Sequence, residues 1–205
     1  MARTPQDPEI RINEILDVAQ KCFINMGYRK TTISVVAKEM GVAKGMLYYY
    51  FKSKEELLEV LLKRHSDLFL SEIKQMIDSE SIMPSEKIGR MFERVIYGVF
   101  YQDGELLSIL YDEKNLYIKE KVTSYCGNSF MNMGKKVIAE GKKKKEFFVE
   151  QEEPVLEFLI LILGFLIEMF YKKLPSDMLQ MRLKMTENMI ENLLHSKKGS
   201  IHFNL

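Results

Sequence analysis

The side chains best equipped for chemistry lie between Arg29 and Lys54, and that chemistry is the gripping of a polyanion. Six basic residues (Arg29, Lys30, Lys38, Lys44, Lys52 and Lys54) stand against one acid, Glu39, giving the segment a net charge of +5 in a chain that totals only +1. Cations gathered on one short stretch are what counterion release from a nucleic-acid duplex requires. Met46, Tyr48 and Tyr49 are interleaved with them. Lysine supplies charge to phosphates, and a tyrosine hydroxyl can donate to a phosphate oxygen. A methionine or a tyrosine edge can touch a thymine methyl in the major groove. The candidate contact set is Thr31, Thr32, Lys44, Gly45, Met46, Tyr48, Tyr49, Lys52 and Lys54.

Catalytic chemistry is poorly served by comparison. The three histidines, His65, His195 and His202, lack the spacing of zinc ligands, and there is neither a glycine-rich phosphate loop nor a nucleophile motif. Two cysteines, Cys22 and Cys126, form no disulfide framework. Neither an enzyme, nor a metal, nor a cofactor is expected.

The basic segment needs two short helices and a tight turn to position it. Thr32 is placed to cap a first helix through its hydroxyl. Gly41 suits a turn that demands positive φ, and Ala37, four residues earlier, is small enough for two helices to cross there. Val36, Met40, Val42, Leu47 and Tyr50 form an apolar seam between the pair. The second helix, about 43–50, then presents Lys44, Gly45, Met46, Tyr48 and Tyr49 outward. Ser53 and Glu56 make a capping box that starts a long helix immediately afterwards. Lys52 and Lys54 flank that start. Upstream, Asp7 and Pro8 are an N-cap and first-turn pair for a helix whose apolar face carries Ile12, Ile15, Leu16, Ala19, Cys22, Phe23 and Met26.

These residues resemble the TetR (tetracycline-repressor-like) transcriptional regulators. The likeness runs from about Ile10 to Leu62, through RINEILDVAQKCFINMGY, TTISVVAKEMGV, KGMLYYYF and KSKEELLEVLL, roughly a quarter of the chain. Ala43 stands where that family commonly has serine or threonine, and Val35 where it commonly has an acidic or polar residue. The resemblance implies a homodimer whose two reading heads bind a palindromic double-stranded DNA operator, and a small-molecule effector that releases them. The implied organisation is a helix-turn-helix domain over 1–53 and a helical effector-binding and dimerisation domain over 54–205.

The rest of the chain reads as helix. Hydrophobic residues make up 46% of it, and strand-like alternation is scarce. The expected fold is all-α, about nine helices, with later ones near 84–101, 105–112, 114–141, 153–172 and 176–195. Gly104, the stretch 141–145 and Leu174-Pro175 punctuate them. Aromatic and methionine side chains abound here. They are either core packing or, as the resemblance implies, the lining of a cavity for a hydrophobic or aromatic effector. Candidates for that cavity are His65, Tyr97, Tyr101, Tyr111, Tyr125, Phe165 and Glu168. His65 reads more simply as a hydrogen-bonded core histidine.

The segment from Val155 to Tyr171 is apolar nearly all round. It is short for a membrane span and carries Glu157 and Glu168. A helix of this kind is more simply buried from two sides. Phe158, Ile162, Phe165 and Met169 are expected to face the chain's own core. Leu159, Leu163, Leu166 and Phe170 are expected to face a second subunit, with Met185 and Met189 of the last helix. No leader is legible in MARTPQDPE, and no membrane association is expected, so the expected location is cytoplasmic. The tail SKKGSIHFNL is either loose or docked through Ile201 and Phe203.

Overall fold

A computed structural model describes residues 7–100 and 104–205. Tyr101 and the end of the helix expected over 84–101 fall outside the described residues. Among the described residues there are nine α-helices and no strand. They are α1 (Pro8–Met26), α2 (Ile33–Glu39), α3 (Lys44–Tyr50), α4 (Lys54–Ile77), α5 (Pro84–Val99), α6 (Glu105–Leu110), α7 (Leu116–Lys143), α8 (Glu152–Tyr171) and α9 (Ser176–Leu194), with a 3-10 turn at Glu113–Asn115 before α7.

The residues form two compact units. The first takes the described residues of Met1–His65 together with Glu105–Val122, and the second takes those of Ser66–Gly104 and Thr123–Leu205. The first unit therefore reaches beyond the boundary expected at residue 53, because α6 and the start of α7 share its core. Leu106, Ile109, Leu110 and Ile118 are buried with Ile15, Leu16 and Phe23 of α1 and with Leu57, Leu58 and Leu61 of α4.

Local signals explain most helix ends. Asp7 caps α1, its side chain accepting from the Glu9 N–H at 2.9 Å, with Pro8 in the first turn. In the second unit Pro84 opens α5, and the neighbouring Ser85 N–H is received by the distant Glu146 carboxylate at 3.1 Å. Gly141 behaves otherwise than expected. It lies inside α7, not at its end, and a Cβ there would sit 2.1 Å from the Phe147 ring. It is small because a phenylalanine folds back onto it. The turn out of α7 is made instead by Lys145, at φ 59°.

The α8 stripes depart from expectation at five residues. Leu159, Leu163 and Leu166, expected at a subunit interface, are 0%, 7% and 0% exposed and belong to the second unit's own core. Phe170 is half-buried against Phe100, ring centroids 5.9 Å apart. Phe158 and Phe165, expected inside, are 54% and 47% exposed, whereas Ile162 and Met169 are buried as expected. By length and composition alone, α8 is the one described helix apolar enough to cross a membrane.

The tail docks. Ile201 is fully buried and Phe203 packs its ring 5.6 Å from that of Phe92. Two buried α9 carboxylates hold it: Glu191 accepts from the Ile201 N–H at 3.1 Å and Glu187 from the Phe203 N–H at 2.9 Å. Buried carboxylates require such donors, and the tail supplies them.

Candidate nucleic-acid interface

The α2–α3 pair is built as its spacing predicts. Thr32 accepts from the Val35 N–H at 3.2 Å and caps α2. Gly41 takes φ +67° in the turn, while the Gly41 N–H reaches the Lys38 carbonyl and the Val42 N–H the Ala37 carbonyl, each at 3.0 Å. Free helix-end carbonyls are thereby paired. Ala37 and Val36 are buried, Leu47 is fully buried, and Met40, Val42 and Tyr50 pack around them. Ala43 precedes α3 with no side-chain cap. After Phe51 the capping box forms: the Glu56 N–H donates to Ser53 Oγ at 3.1 Å, and the Glu56 carboxylate accepts from the Lys52 N–H at 2.6 Å.

This scaffold presents one cationic and aromatic face. Lys44, Gly45, Tyr48 and Tyr49 are exposed, Tyr49 at 83%. The Lys44 ammonium lies 5.2 Å from the Tyr48 ring centroid, and Tyr49 meets Tyr50 edge to face at 5.0 Å. A Cβ on Gly45 would meet nothing within 4 Å. Glycine inside a helix costs ~0.5–1 kcal/mol relative to alanine, and no neighbour within the chain explains it here.

Three expected contact residues are otherwise employed. Thr31 is fully buried, its hydroxyl within 3.1 Å of the Cys22 carbonyl and 3.0 Å of the Gly27 carbonyl, so it faces inward. Met46 is half-buried against the head core. Lys54 donates to the Tyr28 carbonyl at 2.9 Å and sits 4.2 Å from the Tyr28 ring centroid. Lys52 keeps an exposed side chain, and Thr32 is exposed. Lys30 and Lys38, absent from the expected set, are exposed too. Lys30 stands just before α2 and Lys38 in its last turn, and their place in the basic run was the available signal.

The expected effector residues that are described divide between the two units. His65 and Tyr111 belong to the first unit, where the Lys119 ammonium lies 3.9 Å from the Tyr111 ring centroid. In the second unit Tyr97 is exposed and donates to the Asn204 carbonyl. Tyr125 donates to the Asp67 carboxylate, and that bond, helped by desolvation, pushes its phenol up to about 12. Glu168 is exposed and pairs with Lys172 at 2.6 Å. Phe165 lines an open apolar cleft of about 800 Å³ between α8 and α9, with Val155, Phe158, Leu161, Met189 and Leu193.

Comparison with known proteins agrees with the head's geometry. Residues 15–61 match the family described as bacterial regulatory proteins, tetR family. The transcriptional repressor KstR2 of Mycolicibacterium smegmatis is 34% identical over 89 residues, covering 43% of each chain. The fatty acid metabolism regulator protein of Bacillus subtilis is 26% identical over 136 residues, 65% of this chain and 69% of that one. The match thus spans less than half the length of the first of these relatives. Two solved structures share the fold at 20% identity. They are a TetR/AcrR-family regulator from Thermobifida fusca (TM-score 0.63, 90% of this chain and 97% of that one) and FadR from B. subtilis in complex with stearoyl-CoA (TM-score 0.65, 93% and 99%). On these likenesses, and on the helix-turn-helix that carries them, residues 15–61 form a DNA-binding head of the kind found in bacterial regulatory proteins of the tetR family, and the chain as a whole shares the fold of TetR/AcrR regulators.

Proposed function

We propose that the protein is a homodimeric, ligand-responsive DNA-binding regulator, a repressor released from a palindromic operator by a small apolar effector. One observation carries the DNA reading. The second helix of a helix-turn-helix exposes Lys44, Tyr48 and Tyr49 around an unobstructed glycine backbone at Gly45. Charged and phenolic donors position a protein on phosphates, and a bare backbone permits close approach to the groove. Repression is the activity named for KstR2.

The subunit contact is assigned to the outer faces of α8 and α9. Phe158, Leu161 and Phe165 on the first, and Met181, Met185 and Met189 on the second, are exposed apolar side chains, and Phe158, Leu161, Phe165 and Met189 line the cleft together. Such a patch marks an interaction surface. A second copy covering it also accounts for the composition of α8 without a membrane, and a cytoplasmic location follows. The effector is assigned to the helical second unit. The FadR structure contains stearoyl-CoA, which makes a long-chain acyl-CoA the first effector to try. An effector shifts DNA binding only if it prefers the DNA-incompetent state.

Fluorescence anisotropy on labelled duplex tests this reading. Lys44→Ala should weaken binding and flatten the salt dependence by about 0.9 in log–log slope. Tyr49→Ala should weaken binding without loss of stability, because its side chain packs on little. Added stearoyl-CoA should lower the anisotropy. Unchanged affinity in both variants would refute the face assignment, and insensitivity to a panel of acyl-CoA and aromatic ligands would refute effector release.

A further inference from the structure

The head unit contains a carboxylate that competes for one of its own cations. Arg29, three residues before the capping Thr32, directs both Nε and Nη2 at Oδ2 of Asp112, each at 2.8 Å. The two residues are 83 positions apart. Asp112 stands in the turn between α6 and α7, and its other oxygen accepts from the Lys114 N–H at 3.2 Å, capping the 3-10 turn. The turn is stiff. Asn115 is buried, donating from its side chain to the Ile109 carbonyl at 2.9 Å and from its N–H to the Asp112 carbonyl at 2.8 Å. Leu106, Ile109, Leu110 and Ile118 tie the elements on either side of it into the head core.

The two partners are unequal. The Asp112 side chain is 21% exposed and also bonded to the Lys114 N–H, whereas Arg29 is 72% exposed. The Lys114 N–H and the Arg29 guanidinium hold the Asp112 carboxyl below its ordinary range, so it is ionised at neutral pH. Among the described residues Lys30, Lys38, Lys44 and Lys52 have no carboxylate partner, while Arg29 does. Both Arg29 nitrogens converge on the one oxygen Oδ2, and an anionic phosphate oxygen can take the same place. The edge of Arg29 that would grip a phosphate is therefore taken.

We propose that Asp112 is an internal stand-in for a DNA phosphate, an autoinhibitory contact through which the α6–α7 turn sets whether Arg29 is offered to the duplex. With the turn in place the head shows one cation fewer. When the ion pair opens, the exposed Arg29 side chain transfers to a phosphate and binding strengthens. Because α7 runs on from this turn into the second unit, events there have a covalent route to the contact. The inference rests on the reading of the head as DNA-binding.

Anisotropy titrations of the full chain on a mixed-sequence duplex, over a salt series, test it through a double-mutant cycle. Asp112→Asn keeps the capping oxygen and removes the charge. It should bind roughly two- to five-fold more tightly at low salt, the range of an exposed ion pair. Its log–log salt slope should steepen by about 0.9, one additional phosphate contact. On an Arg29→Gln background the gain should vanish. Asp112→Ser, which also caps, should repeat the result should the asparagine variant melt early. Equal or weaker binding by Asp112→Asn, or a gain that survives Arg29→Gln, overturns the proposal. If the unmodified protein shows no salt-dependent duplex binding, the DNA reading itself fails and this inference with it. If it binds and Asp112→Asn merely matches it, only the autoinhibitory contact fails.

Discussion

Thr31 and Thr32 are adjacent, of one type, and opposite in task. The Thr32 hydroxyl closes the start of α2 at the surface, and Thr31 is buried beneath the α1–α2 loop against the Cys22 and Gly27 carbonyls. Both looked like phosphate contacts, since a threonine pair before a helix offers two hydroxyls and only the backbone decides which points out. The same ambiguity separated Lys44 from Lys54: each is basic and near a helix start, yet one is exposed and the other clasps the Tyr28 ring and carbonyl. Thr31→Val preserves shape and removes the buried hydroxyl. It should cost ~1 kcal/mol of stability, the net worth of a buried hydrogen bond, and leave intrinsic duplex affinity unchanged. Urea unfolding monitored by circular dichroism, beside an anisotropy titration, separates the two effects. A loss of affinity at full stability would restore Thr31 to the contact face.

Helix boundaries were legible because their signals are local. Asp7-Pro8, Thr32, Gly41, the Ser53–Glu56 box and Pro84 each act within a few residues of the end they define. The orientation of α8 was not legible, for a reason its own composition supplies. Leu159, Leu163 and Leu166 lie on one side, and Phe158, Leu161 and Phe165 on another, so nearly every direction is apolar and periodicity names no inner face. Only the partners decide, and the leucines joined the core that α4, α5, α7 and α9 share. Gly141 was misleading for a related reason, since a glycine that admits Phe147 looks the same in sequence as one that ends a helix. The leucine assignment has a direct consequence. Leu163→Ala should lower unfolding free energy by ~2–5 kcal/mol, as deletion of a packed leucine does, by opening a cavity inside one protomer. A variant that melts like the parent but sediments as a monomer would return Leu163 to a subunit interface.

For the molecule as a whole, the contact set that a palindrome would read twice in the proposed dimer is small, and each head offers few cations. Lys54 and Arg29 are already engaged, leaving Lys30, Lys38, Lys44 and Lys52 as the accessible cations of the segment from Arg29 to Lys54. One such head gains only the affinity of a handful of phosphate contacts. Two heads held by one body bind with a high effective concentration for the second site, which multiplies affinity without any new contact. The outer face of α8 and α9 is where that body would be joined, and its chemistry differs from the core stripe beneath it. Leu161 is 67% exposed, so replacing it with a charged residue disturbs no packing within the chain. Leu161→Glu should therefore keep the helix content and urea midpoint of the isolated protomer, convert dimer to monomer in sedimentation, and weaken binding to a two-half-site duplex far more than to a single half-site. A variant that remains dimeric, or that loses affinity equally for one and two half-sites, would detach the α8–α9 face from the way the two heads act together.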